Sequence, residues 1–423
     1  MRADPLARQD GQEGRSQRAR PDGPLAWIHA ASVGELIAVL PVIDRIREAR
    51  ADLTVLVTTG TVTSAGIAAT RLGPGAIHQF VPIDTPQAVG GFLDHWKPSL
   101  AIFTESEIWP NLMLATSQRR IPLVLVNARM SSRSSQRWRR RKRIAKQLFG
   151  QFRLVLAQNA VFARNFQQLG APQTINVGNL KIDAPAPPVE AVELQRLRQI
   201  IGDRPVLVVA STHEGEERIL AQAHSRLREA MPKLLTILAP RHPERGEKLA
   251  AEFSAAGLSV AQRSSGADPT HATDIYLADT IGELGLFYSL GRVVFLGGSL
   301  VEHGGQNPIE AIRLGCAVMS GPSRHNFSDI YRVLDAAGAV ATVRTAEDIA
   351  DTALRLLTDE AARKAAHRAA EGALAAMGGA LDKTVEALLP LLPAVKQKPA
   401  PVAVPLPETV SETADAGFRR AVS

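Results

Sequence analysis

Short apolar runs, separated by stretches in which apolar residues return every three or four positions, set the rhythm of this chain. Ten runs read as strands. The first half holds Leu25 to Ile28, LTVLVTT (53–59), PSLAIFTES (98–106), PLVLVNAR (122–129) and RLVLAQ (153–158). The second half holds RPVLVVAS (204–211), LLTILAP (234–240), DIYLADT (274–280), RVVFLGGS (292–299) and CAVMSGP (316–322). A strand that is apolar without alternation is covered on both faces, and strands alternating with amphipathic helices build parallel sheets. The pattern therefore predicts an α/β protein with two doubly wound, Rossmann-like domains facing a central cleft.

Prolines in DAPAPPVEA (183–191) resist helix and sheet and separate the two series. The expected boundaries are an N-terminal domain at 25–183, a linker at 184–203 and a C-terminal domain at 204–392. An Arg-rich polar extension (1–24) and an Ala/Pro-rich tail without helical period (393–423), expected to be disordered, flank them.

At 423 residues, 45% apolar and 22% charged, the chain can bury two cores. A single cysteine, Cys316, excludes a disulfide framework and a thiolate metal cluster. No apolar run reaches the roughly 18 residues of a membrane-spanning helix. The net charge of +7 is local: residues 108–182 carry fourteen Lys and Arg and no acid. The densest part, Arg139 to Arg143 with Lys146 close behind, is interleaved with Trp138, Leu148, Phe149 and Phe152. It reads as a surface for anionic lipid head groups or a solvated helix face, with a nucleic-acid patch as the weaker third reading.

In doubly wound folds ligands bind at the carboxyl ends of the strands, and there the chemistry-bearing residues gather. HAASVGE (29–35) is a strand-to-helix turn with Ser32, Gly34 and Glu35; a helix-start carboxylate favoured by the helix dipole is its plain structural reading. TTGTVTSAG supplies Thr59, TESEIWPNL supplies Glu105 and Glu107, and NARMSSRS supplies Arg129. In the second half, FLGGSLVEHGGQNPIEAIRLG combines Gly297, Gly298 and Ser299 with Asn307 and Glu310. Its glycine pairs suit close backbone approach to a phosphate, while its Asn-Pro-Ile-Glu suits a capped helix start. VVASTHEGEE adds Ser211, Thr212 and His213; LAPRHPERGEKL adds Arg241; DTIGELGLFY adds Glu283. No His, Cys, Asp or Glu cluster has metal-ligand spacing, and no cofactor is expected.

Taken together, WIHAASVGEL, TTGTVTSA, ESEIWPNL, NARMS, GNLKID, ASTHEGEE, APRHPER, GELGLFY, GGSLVEHGGQNPIEA and GPSRHNF resemble the 3-deoxy-D-manno-octulosonic acid (Kdo) transferases of lipopolysaccharide biosynthesis, in family order from Trp27 to Phe327. The resemblance implies a GT-B glycosyltransferase. It implies inverting, metal-independent transfer of Kdo from CMP-Kdo to a lipid A precursor such as lipid IVA, with Glu35 as general base. It further implies a donor site on the second domain (Ser211, Thr212, His213, Arg241, Glu283, Gly297, Gly298, Ser299, Asn307, Glu310). The acceptor would meet the first domain (Ser32, Gly34, Thr59, Glu105, Glu107, Arg129). Peripheral attachment to the cytoplasmic face of a bacterial inner membrane, over an anionic surface, follows from the same resemblance. Residues 1–24 stand where members of the family carry an apolar anchor. The alternatives are a GT-B enzyme for another nucleotide sugar and, from a different class, a nucleic-acid-binding protein using residues 108–182.

Overall fold

The computed structural model describes residues 18–394. Most of the 1–24 extension and nearly all of the 393–423 tail therefore lie outside the described residues. Two seven-stranded sheets, each with all its strands parallel, carry the fold. The first contains β1 (Leu25–His29), β2 (Thr54–Thr59), β3 (Ala76–Phe80), β4 (Leu100–Thr104), β5 (Leu123–Ala128), β6 (Leu154–Ala157) and β7 (Thr174–Asn176). The second contains β8 (Val206–Thr212), β9 (Leu235–Pro240), β10 (Val260–Gln262), β11 (Ile275–Leu277), β12 (Val293–Leu296), β13 (Ala317–Ser320) and β14 (Val340–Thr342).

Strand orders are β3-β2-β1-β4-β5-β6-β7 and β10-β11-β9-β8-β12-β13-β14. In each sheet the winding reverses once, between β1 and β4 in the first and between β8 and β12 in the second. At such a reversal the connections leave in opposite directions and open a crevice beyond the strand ends. Side chains on the two faces of each strand feed separate cores: Ala26 and Ile28 pack with Val39 and Ile43, whereas Leu25 and Trp27 pack with Phe92 and Phe103.

Two expected boundaries are corrected. Residues 184–203 are not linker throughout, because Ala191–Ile201 form a helix with Leu197 and Ile201 in the core of the second sheet. Glu190 caps that helix through its carboxylate, and this short amphipathic pattern lies just beyond the prolines. The second domain also does not run to 392. Helix Ala380–Leu388 crosses back and buries Ala380, Val385 and Leu388 among Val39, Ile43 and Val177 of the first domain. Asp183 pins the crossing by accepting from the amides of Gly379 (3.0 Å) and Leu381 (2.7 Å).

Candidate active site at the two winding reversals

Beyond β1, Ser32 caps helix Val33–Ala49 and Glu35 lies in its first turn. The Glu35 carboxylate accepts from the Ala31 amide (2.9 Å), the Ser32 hydroxyl (3.0 Å) and the Thr104 hydroxyl at the end of β4 (2.7 Å). It therefore bridges the two strands at the first reversal. Only 9% of Glu35 is exposed. Burial and the nearby charges of Glu107 and Glu105 outweigh the bonds from Thr104 and Ala31, so its pKa lies above the ordinary 4.5. The helix dipole thus does not hold this carboxyl low; removal from water decides the sign.

Glu105, in a left-handed backbone conformation (φ 48°), pairs with Lys181 at 2.5 Å and approaches Arg129 at 3.7 Å. Glu107 is held by the Trp109 indole (2.6 Å) and lies 3.6 Å from buried His29. Burial pushes the Glu107 pKa up, but the nearby His29 ring and the bond from Trp109 prevail and leave it below the ordinary value. Two carboxylates one residue apart are thus held by different partners. Thr59 does not belong on this wall, being fully buried and bonded to His78 at 2.9 Å under the sheet edge. Gly34 is exposed, and a side chain there would approach the Lys181 ammonium.

Across the cleft, Arg241 follows β9 with its amide tied to the Thr212 carbonyl (3.0 Å) and its exposed guanidinium in no hydrogen bond or ion pair among the described residues. Glu310 feels both Arg241 and Lys181 as stabilising charges, although burial still holds its pKa above 4.5. Lys181 comes from the first half of the chain and reaches both Glu105 and the field of Glu310. The two walls meet there. Asn307 accepts from the Ile309 amide (3.1 Å), as a cap does, and lies 3.5 Å from Glu310. His213 stacks on His303 with ring centroids 4.1 Å apart and meets Gln306 at 3.2 Å. Burial first, then the proximity of His303, His242 and Arg241, lower its pKa to about 4, so the ring is neutral at neutral pH.

The glycine turn after β12 departs from expectation. The amides of Gly298 (2.6 Å), Ser299 (2.9 Å) and Leu300 (2.9 Å) do not point to open space; all three donate to the buried carboxylate of Glu216. Ser299 is fully buried, with its hydroxyl on the Leu296 carbonyl, so its side chain cannot reach a ligand. Gly297 is needed for packing, since a Cβ there would lie 2.6 Å from the Ser211 carbonyl oxygen. Thr212 is buried as well, and Ser211 is 8% exposed in a left-handed conformation (φ 57°). Glu283 is committed to Arg263 at 2.6 Å, which holds its pKa low. Of the residues expected at the donor wall, His213, Arg241, Asn307 and Glu310 remain together and accessible. Sequence reasoning missed Glu216, Thr104 and Lys181; Glu216 lies within the ASTHEGEE match and Lys181 within GNLKID, the one visible signal for each, whereas Thr104 lies just outside ESEIWPNL.

Among the described residues no helix is long and apolar enough to cross a membrane, and no acid, His or Cys cluster could hold a metal ion. The profile of the family described as 3-deoxy-D-manno-octulosonic-acid transferase (kdotransferase) matches residues 8–184. The 3-deoxy-D-manno-octulosonic acid transferase of Haemophilus influenzae is 34% identical over 391 residues, 92% of this chain and 91% of that protein. Its counterpart in Bordetella pertussis is 36% identical over 380 residues, 88% and 89% of the two chains. Among solved structures, UDP-GlcNAc 2-epimerase from Neisseria meningitidis bound to UDP-GlcNAc superposes with a TM-score of 0.60 at 15% identity, over 87% of this chain and 100% of that one, a likeness of fold alone. A glycosyltransferase from Rickettsia africae is likewise similar in fold (TM-score 0.59, 12% identity, 88% and 99% covered). With relatives this similar along nearly its whole length, the chain belongs to the 3-deoxy-D-manno-octulosonic acid transferases, glycosyltransferases of lipopolysaccharide synthesis built on the GT-B fold.

Proposed function

We propose that the protein transfers Kdo from CMP-Kdo to a lipid A precursor, with inversion and with Glu35 as general base. The observation that carries this reading is the placement of Glu35: a nearly buried carboxylate at the first winding reversal, with its pKa raised, facing a wall that offers Arg241 without a partner. An acceptor hydroxyl is too weak an acid to attack alone. As its oxygen bonds to the anomeric carbon, its proton passes to the Glu35 carboxylate. The bond from that carbon to the CMP phosphate breaks, its electron pair leaves with CMP, and Arg241 meets the charge that gathers there. Attack from one wall with departure toward the other gives inversion. Glu105 and Arg129 line the acceptor side, and His213, Asn307 and Glu310 the donor side.

Incubating the protein with CMP-Kdo and a tetraacylated lipid A precursor, then weighing the products, tests this. The expected result is a mass increment of one or more Kdo residues, lost when Glu35 is replaced by Gln. No increment with wild type, or transfer from a different nucleotide sugar only, would overturn it. Arg241→Ala is expected to weaken CMP binding about 10-fold or more.

The basic segment serves the same reading. Helices Ser132–Arg140 and Lys142–Phe149 expose Arg137, Arg139, Arg140, Arg141, Lys142, Arg143 and Lys146, while Ala145, Leu148, Phe149 and Phe152 point into the core. Most of the apolar residues between the charges are thus structural, and the surface left for contact is cationic apart from Ile144, which is 50% exposed. Docking on anionic lipid would gain roughly 1 kcal/mol per cation and weaken with salt. Vesicle flotation that ignores both salt and charge reversal at 139–143 would remove the membrane from this account.

A further inference from the structure

The turn after β8 holds a group that nothing in the transfer chemistry uses. Glu216, the first residue of helix Glu216–Ala230, is fully buried and its carboxylate has no cation partner among the described residues. Four backbone amides converge on it instead: His213 (2.9 Å) and Gly298 (2.6 Å) on one oxygen, Ser299 and Leu300 (both 2.9 Å) on the other. Buried amides aimed at one point form an anion cradle of the kind that elsewhere takes a phosphate. Here the protein supplies the anion.

The cradle joins the two strands of the second reversal. His213 lies past β8, and Gly298 to Leu300 follow β12. Tying both to one carboxylate sets the distance between the His213 ring and the glycine turn, where there is little slack: a Cβ on Gly298 (φ 64°) would lie 3.1 Å from the His213 ring and 3.3 Å from the Gln306 amide nitrogen. Gln306, in turn, meets His213 at 3.2 Å, and Gly305 donates to the Gly298 carbonyl (2.7 Å). The stacked His213–His303 pair and Gln306 thus take their positions from a turn that Glu216 holds.

We propose that Glu216 is a positioning residue for the nucleotide sugar: the resident anion of a cradle that shapes the donor wall and that keeps the donor's own phosphate off those amides. This rests on the reading of that wall as the donor site. Glu216 touches no donor group and acts through His213 and the glycine turn.

Chemical rescue tests it, using the full chain. Glu216→Ala empties the cradle and leaves room for a small carboxylate. Calorimetric CMP affinity is expected to fall on the order of 10-fold or more and to be restored by added formate or acetate, but not by chloride at equal ionic strength. In turnover, the loss should appear in KM for the donor more than in kcat. Glu216→Gln keeps the volume but presents an NH₂ where two amides need an acceptor; it is expected to lose CMP affinity without rescue. That variant decides the matter should the Ala variant fail to fold. CMP affinity within two-fold of wild type in the folded variants would overturn the proposal, as would a loss that formate and acetate leave untouched in Glu216→Ala. If wild type itself binds no CMP, the donor reading fails. The cradle is then judged by whether formate raises the melting temperature of Glu216→Ala but not of wild type, and no such difference would overturn it too.

Discussion

Ser-Val-Gly-Glu at 32–35 and His-Glu-Gly-Glu at 213–216 occupy equivalent places: each ends a strand at a winding reversal, opens a helix and puts a glutamate in the first turn. Each glutamate reaches across to the neighbouring strand, Glu35 to Thr104 and Glu216 to the turn after β12. Their donors differ. Glu216 receives four amides, fixed by backbone geometry, whereas Glu35 receives one amide and two hydroxyls, which can rotate away. Glu216 has no exposed surface; Glu35 keeps a sliver, beside two further carboxylates. A carboxylate saturated by amides is a strut. One held by hydroxyls, with like charges near, retains affinity for a proton.

The sharpest way to break this comparison is to neutralise both positions. Glu35→Gln keeps the shape and should lower transfer by roughly 100-fold to 10,000-fold. The sign of its stability effect follows from the raised pKa. The folded state favours protonated Glu35, so the ionised carboxyl weakens the fold as pH rises past its ordinary range. Removing that charge should leave the melting temperature at neutral pH unchanged or higher. Turnover near wild type with a lowered melting temperature would make Glu35 the strut and pass the base to Glu105 or Glu107.

Glu216→Gln should do the reverse in stability. Two buried amides lose their acceptor at about 1–3 kcal/mol each, so urea denaturation should register a loss of roughly 2–6 kcal/mol. A loss below about 1 kcal/mol would mean that water or a shifted loop replaces the carboxylate, and the contrast between the two turns would collapse.

The sequence disclosed the two turns unequally, for the same physical reason that divided the strands. The ten strands read from their apolar runs are the inner strands of the two sheets, almost wholly buried. The four that escaped notice, AIHQF, TIN, VAQ and VAT, are the four sheet edges. An edge is half solvated and short, so continuous hydrophobicity cannot mark it. Glu35 was visible because its turn stands in a strongly apolar entry and matches a family motif. Glu216, although inside the ASTHEGEE match, looks like an ordinary first-turn acid, since three of its four partners lie more than eighty residues away and all four are backbone amides, which carry no sequence signature. Gly297 and Gly298, expected to let a phosphate approach the backbone, are approached by the protein itself: Ser211 crowds the first and the His213 ring the second.

A smaller effect sharpens the account of Glu35. The Thr104 hydroxyl lies within reach of both the His29 carbonyl (3.0 Å) and Glu35 (2.7 Å), and with one proton it favours the charged, nearer acceptor. That bond is the largest influence lowering a pKa that burial has raised. Only ionised Glu35 can accept a proton, so activity should rise with pH through its titration. Thr104→Val should move that limb to higher pH, with little change in donor KM. An unmoved limb would mean that the limb reports another group.

The smallest effect expected is that of Ser32→Ala. Ser32 accepts from the Glu35 amide at a long 3.4 Å and donates to the other carboxylate oxygen at 3.0 Å, from a half-buried position. As a helix cap it contributes about 1 kcal/mol, and water can replace much of its donation because Ser32 itself is only half-buried. Removing it should therefore cost at most that much stability and reduce transfer only a few-fold, less than Thr104→Val, whose fully buried hydroxyl water cannot replace. The ordering of the two variants is the informative part. If Ser32→Ala proved the more damaging to turnover while leaving the pH profile in place, Ser32 would be touching the acceptor, and the carboxylate would owe its proton affinity to burial and the neighbouring acids more than to its hydroxyl partners.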